Sequence, residues 1–210
     1  MTVEGRGYAL WLPGPVRSEE LPRAQARAAY DAFLESRVSR IEMLRDLVAR
    51  DGVELSDDDG HVQELNDWFL AGVEPDSERP GHLPPFWFSV AHDIAVFLGE
   101  LAIARHSNLS WEFFVWGKKN VAYQRPVIMG FAGEDPKYRT NADPEASVLS
   151  YAHATIAARG SRREHGTVNV RGVSLDIDSL LGSPRPPQTD EFVRWLAIID
   201  RRNAEHPGAR

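Results

Sequence analysis

The sequence predicts an α+β fold in a single domain, because helical and strand-like patterns occupy separate parts of the chain. Apolar residues recur every three or four positions over residues 22–50 and again over 86–105, whereas residues 111–131 alternate with a period of two. No regular alternation of strands with helices is present, which argues against a parallel sheet. With 210 residues, of which 42% are hydrophobic, the chain can bury one substantial core.

The first half of the chain is predicted to be helical after an extended lead-in over residues 1–21. A long amphipathic helix is expected at about 22–50, with Arg37 and Arg40 among the charged residues on its outward face. A second, shorter helix follows an acidic turn and ends near Gly72.

The middle of the chain predicts a buried helix and a hairpin. Residues 86–105 are apolar on most of the helical circumference, which indicates a central buried helix. The alternation that follows predicts strands at 111–116 and 121–131, joined by a turn at 117–120. Pro126 marks an edge, a bulge or an early end of the second strand. We expect the central helix to pack against a small antiparallel sheet that contains this hairpin.

The last third of the chain predicts two helices with strand-like segments between them. Asp143 is the expected N-cap of a helix that Gly160 ends. Residues 167–172 predict a strand, and residues 173–181 are either another strand or a turn of helix. Thr189 is expected to cap the final helix.

The composition excludes several classes of protein. A formal net charge of −7 argues against a dedicated binder of nucleic acid or of anionic membranes, since such proteins present a basic surface. The absence of cysteine excludes disulfides, thiolate zinc sites, iron–sulfur clusters and cysteine nucleophiles. No secretory signal is evident and polar residues interrupt the most apolar stretch, so we expect a cytoplasmic protein without a membrane span.

The predicted domain covers residues 22–203, and residues 204–210 form a frayed tail.

No cofactor and no metal are predicted, because the motifs that hold them are missing from the sequence. The chain contains no GxSxG, SxxK, Walker or GxGxxG sequence and no HExxH or HxH spacing. The turn Asp57-Asp58-Asp59-Gly60 fails as a calcium loop, since the EF-hand frame places Leu55 at the first ligand position and Asn66 at the twelfth. An acidic turn in front of a helix explains these residues.

The candidate catalytic residues lie on the central helix, where His92, Asp93 and Glu100 share a polar stripe with Ser89. On an ideal helix Ser89, Asp93 and Glu100 fall within about 40° of one another. Such a stripe on an apolar helix could line the cleft of a hydrolase-like enzyme. The alternative is a structural role in which the carboxylates pair with arginines from another element, and Arg125 is the expected partner because the hairpin returns past the helix.

The hairpin tip carries two of the three lysines in the chain, Lys118 and Lys119, close to Arg125. Basic groups interleaved with aromatic residues are typical of surfaces that bind single-stranded nucleic acid, but the net charge of −7 argues against that as a general function. The aromatic residues are also explained by a strand that is covered on both faces. Two interpretations follow: a recognition role for the three basic residues and a core role for the aromatic ones.

Acidic residues concentrate between Glu42 and Arg79, where there are twelve Asp and Glu against three Arg, a balance of −9. Clustered acid is typical of a solvated face, and it is also what an inhibitor, or an immunity protein that masks a basic nuclease toxin, presents. We therefore predict a non-enzymatic domain that binds another protein, with Asp57, Asp58 and Asp59 as candidate contacts. A hydrolase-like enzyme is the alternative, and the sequence leaves both catalysis and a homo-oligomer open.

Four blocks of the sequence resemble a family of bacterial proteins that has no established activity. The blocks are LNDWF at 65–69, SVAHDIAVFLGE at 89–100, WEFFVWGKKNVAYQRPVIMGF at 111–131 and GTVNVRGVSLDID at 166–178. The resemblance implies a single intact bacterial domain and assigns no functional residue.

Overall fold

A computed structural model of the chain describes residues 7–14, 16–132, 140–164, 167–170, 173–176 and 188–204. Within these ranges the chain forms five α-helices, a short 3-10 turn and two pairs of antiparallel strands. In chain order the elements are α1 (Arg23–Ala49), α2 (Asp59–Gly72), α3 (Pro85–Arg105), β1 (Ser110–Phe113), β2 (Pro126–Met129), α4 (Pro144–Glu164), β3 (Thr167–Val170), β4 (Val173–Asp176) and α5 (Glu191–Ala204). The predicted α+β class, with its long first helix, is confirmed.

The core of the molecule is built around α3, in which 15 of 21 residues are buried. Helices α1, α4 and α5 all pack against it, so apolar side chains around most of its circumference are removed from water. Phe97 and Leu98 are 5% and 0% exposed, as the apolar pattern predicts. By length and composition alone α3 could cross a membrane, with a mean hydropathy of 1.5, but 83% of that window is buried inside the protein.

The hairpin has shorter strands and a longer connection than the alternation predicts. Strands β1 and β2 pair antiparallel, with Trp111 opposite Ile128, but the chain leaves the ladder after Phe113 and rejoins it only at Pro126. In the hairpin loop, residues 114–125, Phe114 still bonds the backbone of Gln124 and Arg125, but the chain then forms a series of tight turns from Gly117 onward. Gln124 has a φ of 62° that no regular strand contains. The predicted strands 111–116 and 121–131 are therefore wrong in their inner halves.

The hairpin loop has a small core of its own and is fastened to the start of the chain. Phe114 and Ala122 pack with Val127 and Met129 in a cluster separate from the main core. The side-chain amide of Gln124 donates to the carbonyl oxygens of Ser18 and Leu21 at 2.8 and 3.0 Å. These contacts hold the hairpin loop against residues 18–21.

The C-terminal third follows the predicted order with shifted boundaries. Asp143 caps α4 as expected, since its Oδ1 accepts from the N–H of Ala146 at 2.9 Å, but the helix continues through Gly160 to Glu164. Of the two interpretations of residues 173–181, the strand is correct for the first four residues. They form β4, which pairs antiparallel with β3. The last helix starts at Glu191, one residue later than a cap at Thr189 requires. Most of the predicted tail and of the loop at 183–188 lies outside the described residues.

Helix α3 approaches the sheet closely at Gly99, where only a residue without a side chain fits. A methyl group placed at this position would overlap the six-membered ring of Trp111. The indole N–H of Trp111 donates to Oε1 of Glu100 at 2.8 Å, so the ring is held in place from the neighbouring position. The contact joins the central helix to β1.

We expect Gly99→Ala to lower the free energy of unfolding by about 1–3 kcal/mol, because the clash with Trp111 outweighs the better helix propensity of alanine. Chemical denaturation measures the change. Gly14→Ala is the matched control, since a methyl group there meets nothing within 4 Å. Equal stability of the two variants would contradict the close approach.

Candidate functional site

The polar stripe of α3, formed by Ser89, His92, Asp93 and Glu100, faces α1, α4 and the start of the chain rather than an open cleft. Ser89, His92 and Asp93 are 0%, 3% and 0% exposed. Only Glu100 reaches solvent, with 36% of its side chain exposed. Each of the three charged or titratable side chains has a different partner, and these partners determine what the stripe can do.

Asp93 is held by Arg40 of α1 in a buried two-pronged ion pair. The Nε and Nη2 atoms of Arg40 donate to Oδ1 and Oδ2 of Asp93 at 2.7 and 2.6 Å. The hydroxyl of Tyr8 donates to Oδ2, and Nη2 of Arg40 also reaches Oγ of Ser89 at 3.1 Å. Burial raises the pKa of Asp93, although Arg40 and Tyr8 oppose the rise. Burial, together with the charge of Asp93, raises the pKa of Tyr8 so that its hydroxyl stays a donor.

Glu100 is held by Arg37, one turn before Arg40 on α1. The guanidinium of Arg37 donates to Oε1 of Glu100, which also accepts from the indole of Trp111. The expectation that Arg125 pairs with Asp93 or Glu100 is therefore wrong, and so is the expectation that Arg37 and Arg40 both face outward. Arg40 is 5% exposed because α1 lies along α3 and turns this position towards it.

His92 belongs to a second cluster, which connects α3 to α4 and to the hairpin. Its Nδ1 lies 3.0 Å from Oε1 of Glu145, and Oε2 of Glu145 accepts from Arg125 at 3.0 Å. Arg125 also lies 3.3 Å from Oδ2 of Asp143. Nε2 of His92 is buried and has no hydrogen-bond partner among the described residues. The ring meets the edge of Phe33, with 6.2 Å between the ring centroids.

The pKa values of the two carboxylates in this cluster, Glu145 and Asp143, shift in opposite directions. Burial would raise the pKa of Glu145, but the hydrogen bond and charge of His92 and the charge of Arg125 outweigh it and lower that pKa. Burial raises the pKa of Asp143, and the attraction of Arg125 only reduces the rise. Glu145 is therefore the member of the pair that carries the negative charge towards His92.

Residues 7–12, the N-terminal strap, cover the polar stripe. The carbonyl oxygen of Ala9 accepts from Nη1 of Arg40 at 2.7 Å, and the backbone N–H of Trp11 donates to Oγ of Ser89 at 2.6 Å. The indole of Trp11 lies flat on the ring of His92, with 3.5 Å between centroids and 4° between planes. The sequence pattern does not predict these contacts. The one feature of the lead-in that indicates packing is the pair of aromatic residues, Tyr8 and Trp11, in an otherwise irregular segment.

The basic residues of the hairpin differ in their surroundings. Lys118 and Lys119 are exposed in the hairpin loop, whereas Arg125 is engaged by Asp143 and Glu145. Among the aromatic neighbours Phe114 is buried, at 2% exposed, whereas Trp116 is 37% exposed. A recognition role for the three basic residues stays a prediction.

The acidic triplet has local structural roles. Oδ1 of Asp58 accepts from the N–H of Gly60 at 2.8 Å and caps α2, as an acidic residue before a helix should. Asp59 pairs with Arg105 of α3 at 2.5 Å, and the carbonyl of Asp57 accepts from the same guanidinium at 3.3 Å. Only the side chain of Asp57 is left without a partner among the described residues.

A cavity of about 50 Å³ lies at the end of the strap, lined by Gly7, Tyr8, Met43, Asp46, Leu47 and Arg50. No group of three or more His, Asp and Glu side chains within the described ranges is placed to hold a metal ion.

We expect Arg40→Met to cost about 3–5 kcal/mol of folding free energy, because it leaves the carboxylate of Asp93 buried without its cation. The double variant Arg40→Met/Asp93→Asn should recover part of the loss, since the amide carries no charge. Arg37→Met is the control and should cost about 1 kcal/mol or less, because its pair is partly exposed. Urea denaturation compares them, and a neutral Arg40→Met would refute the pairing.

The lowered pKa of Glu145 predicts a pH-dependent contribution to stability. The contribution is fully present above the ordinary glutamate pKa of 4.5 and is lost as the pH falls through the lower pKa of the folded state. Glu145→Gln should therefore be less stable than the parent by about 1–2 kcal/mol at pH 7, and the difference should shrink below pH 4.5. Denaturation across pH tests this, with exposed Glu42→Gln as the control. A difference that grows towards low pH would contradict the assignment.

Comparisons of the chain with protein-family models, with curated proteins and with solved structures give no match. The resemblance to a bacterial family therefore stays a prediction, and the functional argument depends on the geometry of the described residues.

Proposed function

We propose that the chain is a non-enzymatic protein-interaction domain of the cytoplasm, which binds a basic protein through its acidic region between Glu42 and Arg79. An inhibitor or an immunity-type protein is the kind of molecule that combines these properties. The two lines of support are the state of the polar stripe and the distribution of unpaired carboxylates.

The observation that carries the proposal is the neutralisation of the central-helix carboxylates. Asp93 has both oxygens on Arg40, and Glu100 is bound by Arg37 and Trp111. A general acid or base must be free to exchange a proton with a substrate, which a carboxylate in a buried two-pronged ion pair is not. The geometry thus favours a structural role for these two residues.

The acidic region provides a surface that is rich in uncompensated charge. Eleven of its twelve Asp and Glu are exposed. Six of them make no hydrogen bond or ion pair through the carboxylate to any other described residue: Glu42, Asp46, Asp57, Glu64, Glu74 and Glu78. Exposed carboxylates that lie close together make the local electrostatic potential negative. This potential steers a basic partner towards the surface and disfavours an acidic one.

The experiment reverses only the charges that have no structural task. Asp58 and Asp59 are avoided, because one caps α2 and the other pairs with Arg105. The test variant is therefore Glu42→Lys/Asp57→Lys/Glu64→Lys in the full chain. The matched control, Glu20→Lys/Asp31→Lys/Glu35→Lys, makes the same change in net charge at exposed positions outside the acidic region.

The absence of cysteine permits a site-specific readout. A photo-crosslinker on Ala71→Cys, which is exposed within the acidic region, should capture a basic protein in extracts of the source organism. The same crosslinker on Ala28→Cys of α1 is the control position. We expect the adduct to disappear in the test variant and to persist in the charge control. An adduct that survives the reversal, or that forms equally from position 28, would overturn the proposal.

A hydrolase-like enzyme is the second candidate, and one observation favours it. His92 has one ring nitrogen on Glu145 and the other without a partner among the described residues, which is how a carboxylate orients a general base. Trp11 covers the ring, so a substrate would reach it only after the N-terminal strap has moved. Hydrolysis of nitrophenyl esters and phosphates by the purified chain, lost in His92→Gln, would support this candidate over the first.

A further inference from the structure

We propose that the groove between α1 and α3 is a peptide-binding site, that the N-terminal strap is its intramolecular occupant, and that a partner segment with a tyrosine and a tryptophan three residues apart displaces it. The proposal goes beyond the acidic region, because it concerns a different surface and a partner of different chemistry.

The contacts of the N-terminal strap are those of a bound linear peptide. Tyr8 inserts its ring beside Phe86, with 5.6 Å between centroids, and its hydroxyl reaches Asp93. Three residues further on, Trp11 stacks on His92. Between these two anchors a backbone carbonyl accepts from Arg40, and the N–H of Trp11 donates to a serine hydroxyl.

The groove is organised by contacts that do not involve the strap. Arg40 is fixed by both oxygens of Asp93, and it also donates to Ser89. His92 is fixed by Glu145, which Arg125 holds in turn. A site whose donors and acceptors are already in position binds a ligand with little ordering cost.

The strap is held by side-chain and single peptide contacts rather than by regular secondary structure. Residues 7–14 make no backbone–backbone hydrogen bond to any described residue, so no ladder or helix holds them. Between and beyond the two anchors, Leu10 and Leu12 are 48% and 57% exposed. The segment is thus attached at two side chains and two peptide groups, and a competing segment needs to replace only those.

The chemistry of the empty groove would specify the competitor. Without the strap, Oδ2 of Asp93 loses a hydroxyl donor, Nη1 of Arg40 loses a carbonyl, and Oγ of Ser89 loses an N–H. Leaving buried polar groups unsatisfied is costly, so a ligand must supply all three as well as a ring for His92. A peptide with tyrosine at the first anchor meets these requirements, whereas phenylalanine there lacks the donor.

The test uses a fluorescein-labelled peptide with the sequence of residues 7–13, GYALWLP, and the full-length chain. In the parent chain the tethered strap competes at a high effective concentration, so the peptide should bind weakly. In Trp11→Ala the strap has lost one anchor, and we expect the peptide to bind at least tenfold more tightly by fluorescence anisotropy. Leu12→Ala is the control in the strap and should behave like the parent, because that side chain is exposed.

The peptide and the groove each have a matched control. A peptide with phenylalanine in place of its tyrosine should bind Trp11→Ala several-fold more weakly, and Ser89→Ala introduced into Trp11→Ala should weaken the unmodified peptide. Equal binding of the two peptides, or no binding by a folded Trp11→Ala chain, would overturn the proposal.

A second measurement covers the case in which Trp11→Ala does not fold. A dye attached at Leu10→Cys reports the strap of the otherwise unaltered chain, which has no other cysteine. Excess unlabelled peptide should release the strap and lower the anisotropy of the dye. An unchanged anisotropy at 1 mM peptide, roughly the effective concentration of a tethered segment, would refute displacement.

Discussion

The buried ion pair between Arg40 and Asp93 connects three separate parts of the chain. It joins the long first helix to the central helix, and the same guanidinium holds the carbonyl of Ala9 in the N-terminal strap. An isolated charge at either position would be destabilising, because neither side chain reaches bulk water. The pair therefore requires α1 and α3 to be in place together, and it makes their arrangement specific rather than merely compact.

A second polar cluster, centred on Glu145 and next to the first along the polar stripe of α3, has the same effect. Glu145 lies between His92 and Arg125, so α4, the central helix and the end of the hairpin loop meet at one carboxylate. Apolar packing brings these elements together without choosing a register, whereas a charged hydrogen bond is satisfied at one register only. The two clusters explain how a helix that is apolar almost all round acquires a defined orientation among its neighbours.

The charges of the protein are thus divided between two tasks. Arginines and carboxylates near α3 neutralise one another inside the fold, while six exposed carboxylates between Glu42 and Arg79 have no partner among the described residues. This division is why the same residue types support opposite interpretations in the sequence. In the sequence, Asp93 resembles a catalytic acid and Asp57 resembles a residue that only solvates the surface. In the structure, Asp93 is buried and held by Arg40, whereas Asp57 is exposed and accessible to a partner.

The sequence by itself determined the α+β class, the order of the helices and the burial of α3, because periodicity and capping residues act over a few neighbouring positions. It also indicated the hairpin, but not that residues 114–125 leave the ladder, since their turns depend on contacts with the distant Ser18 and Leu21. Only the tertiary structure decided which arginine meets which carboxylate. Arg40 is charged, and the apolar periodicity of α1 does not show that its position belongs to the buried face of the helix. An arginine side chain is long enough to serve either solvent or a neighbouring helix, and the choice depends on how α1 and the strap pack against α3.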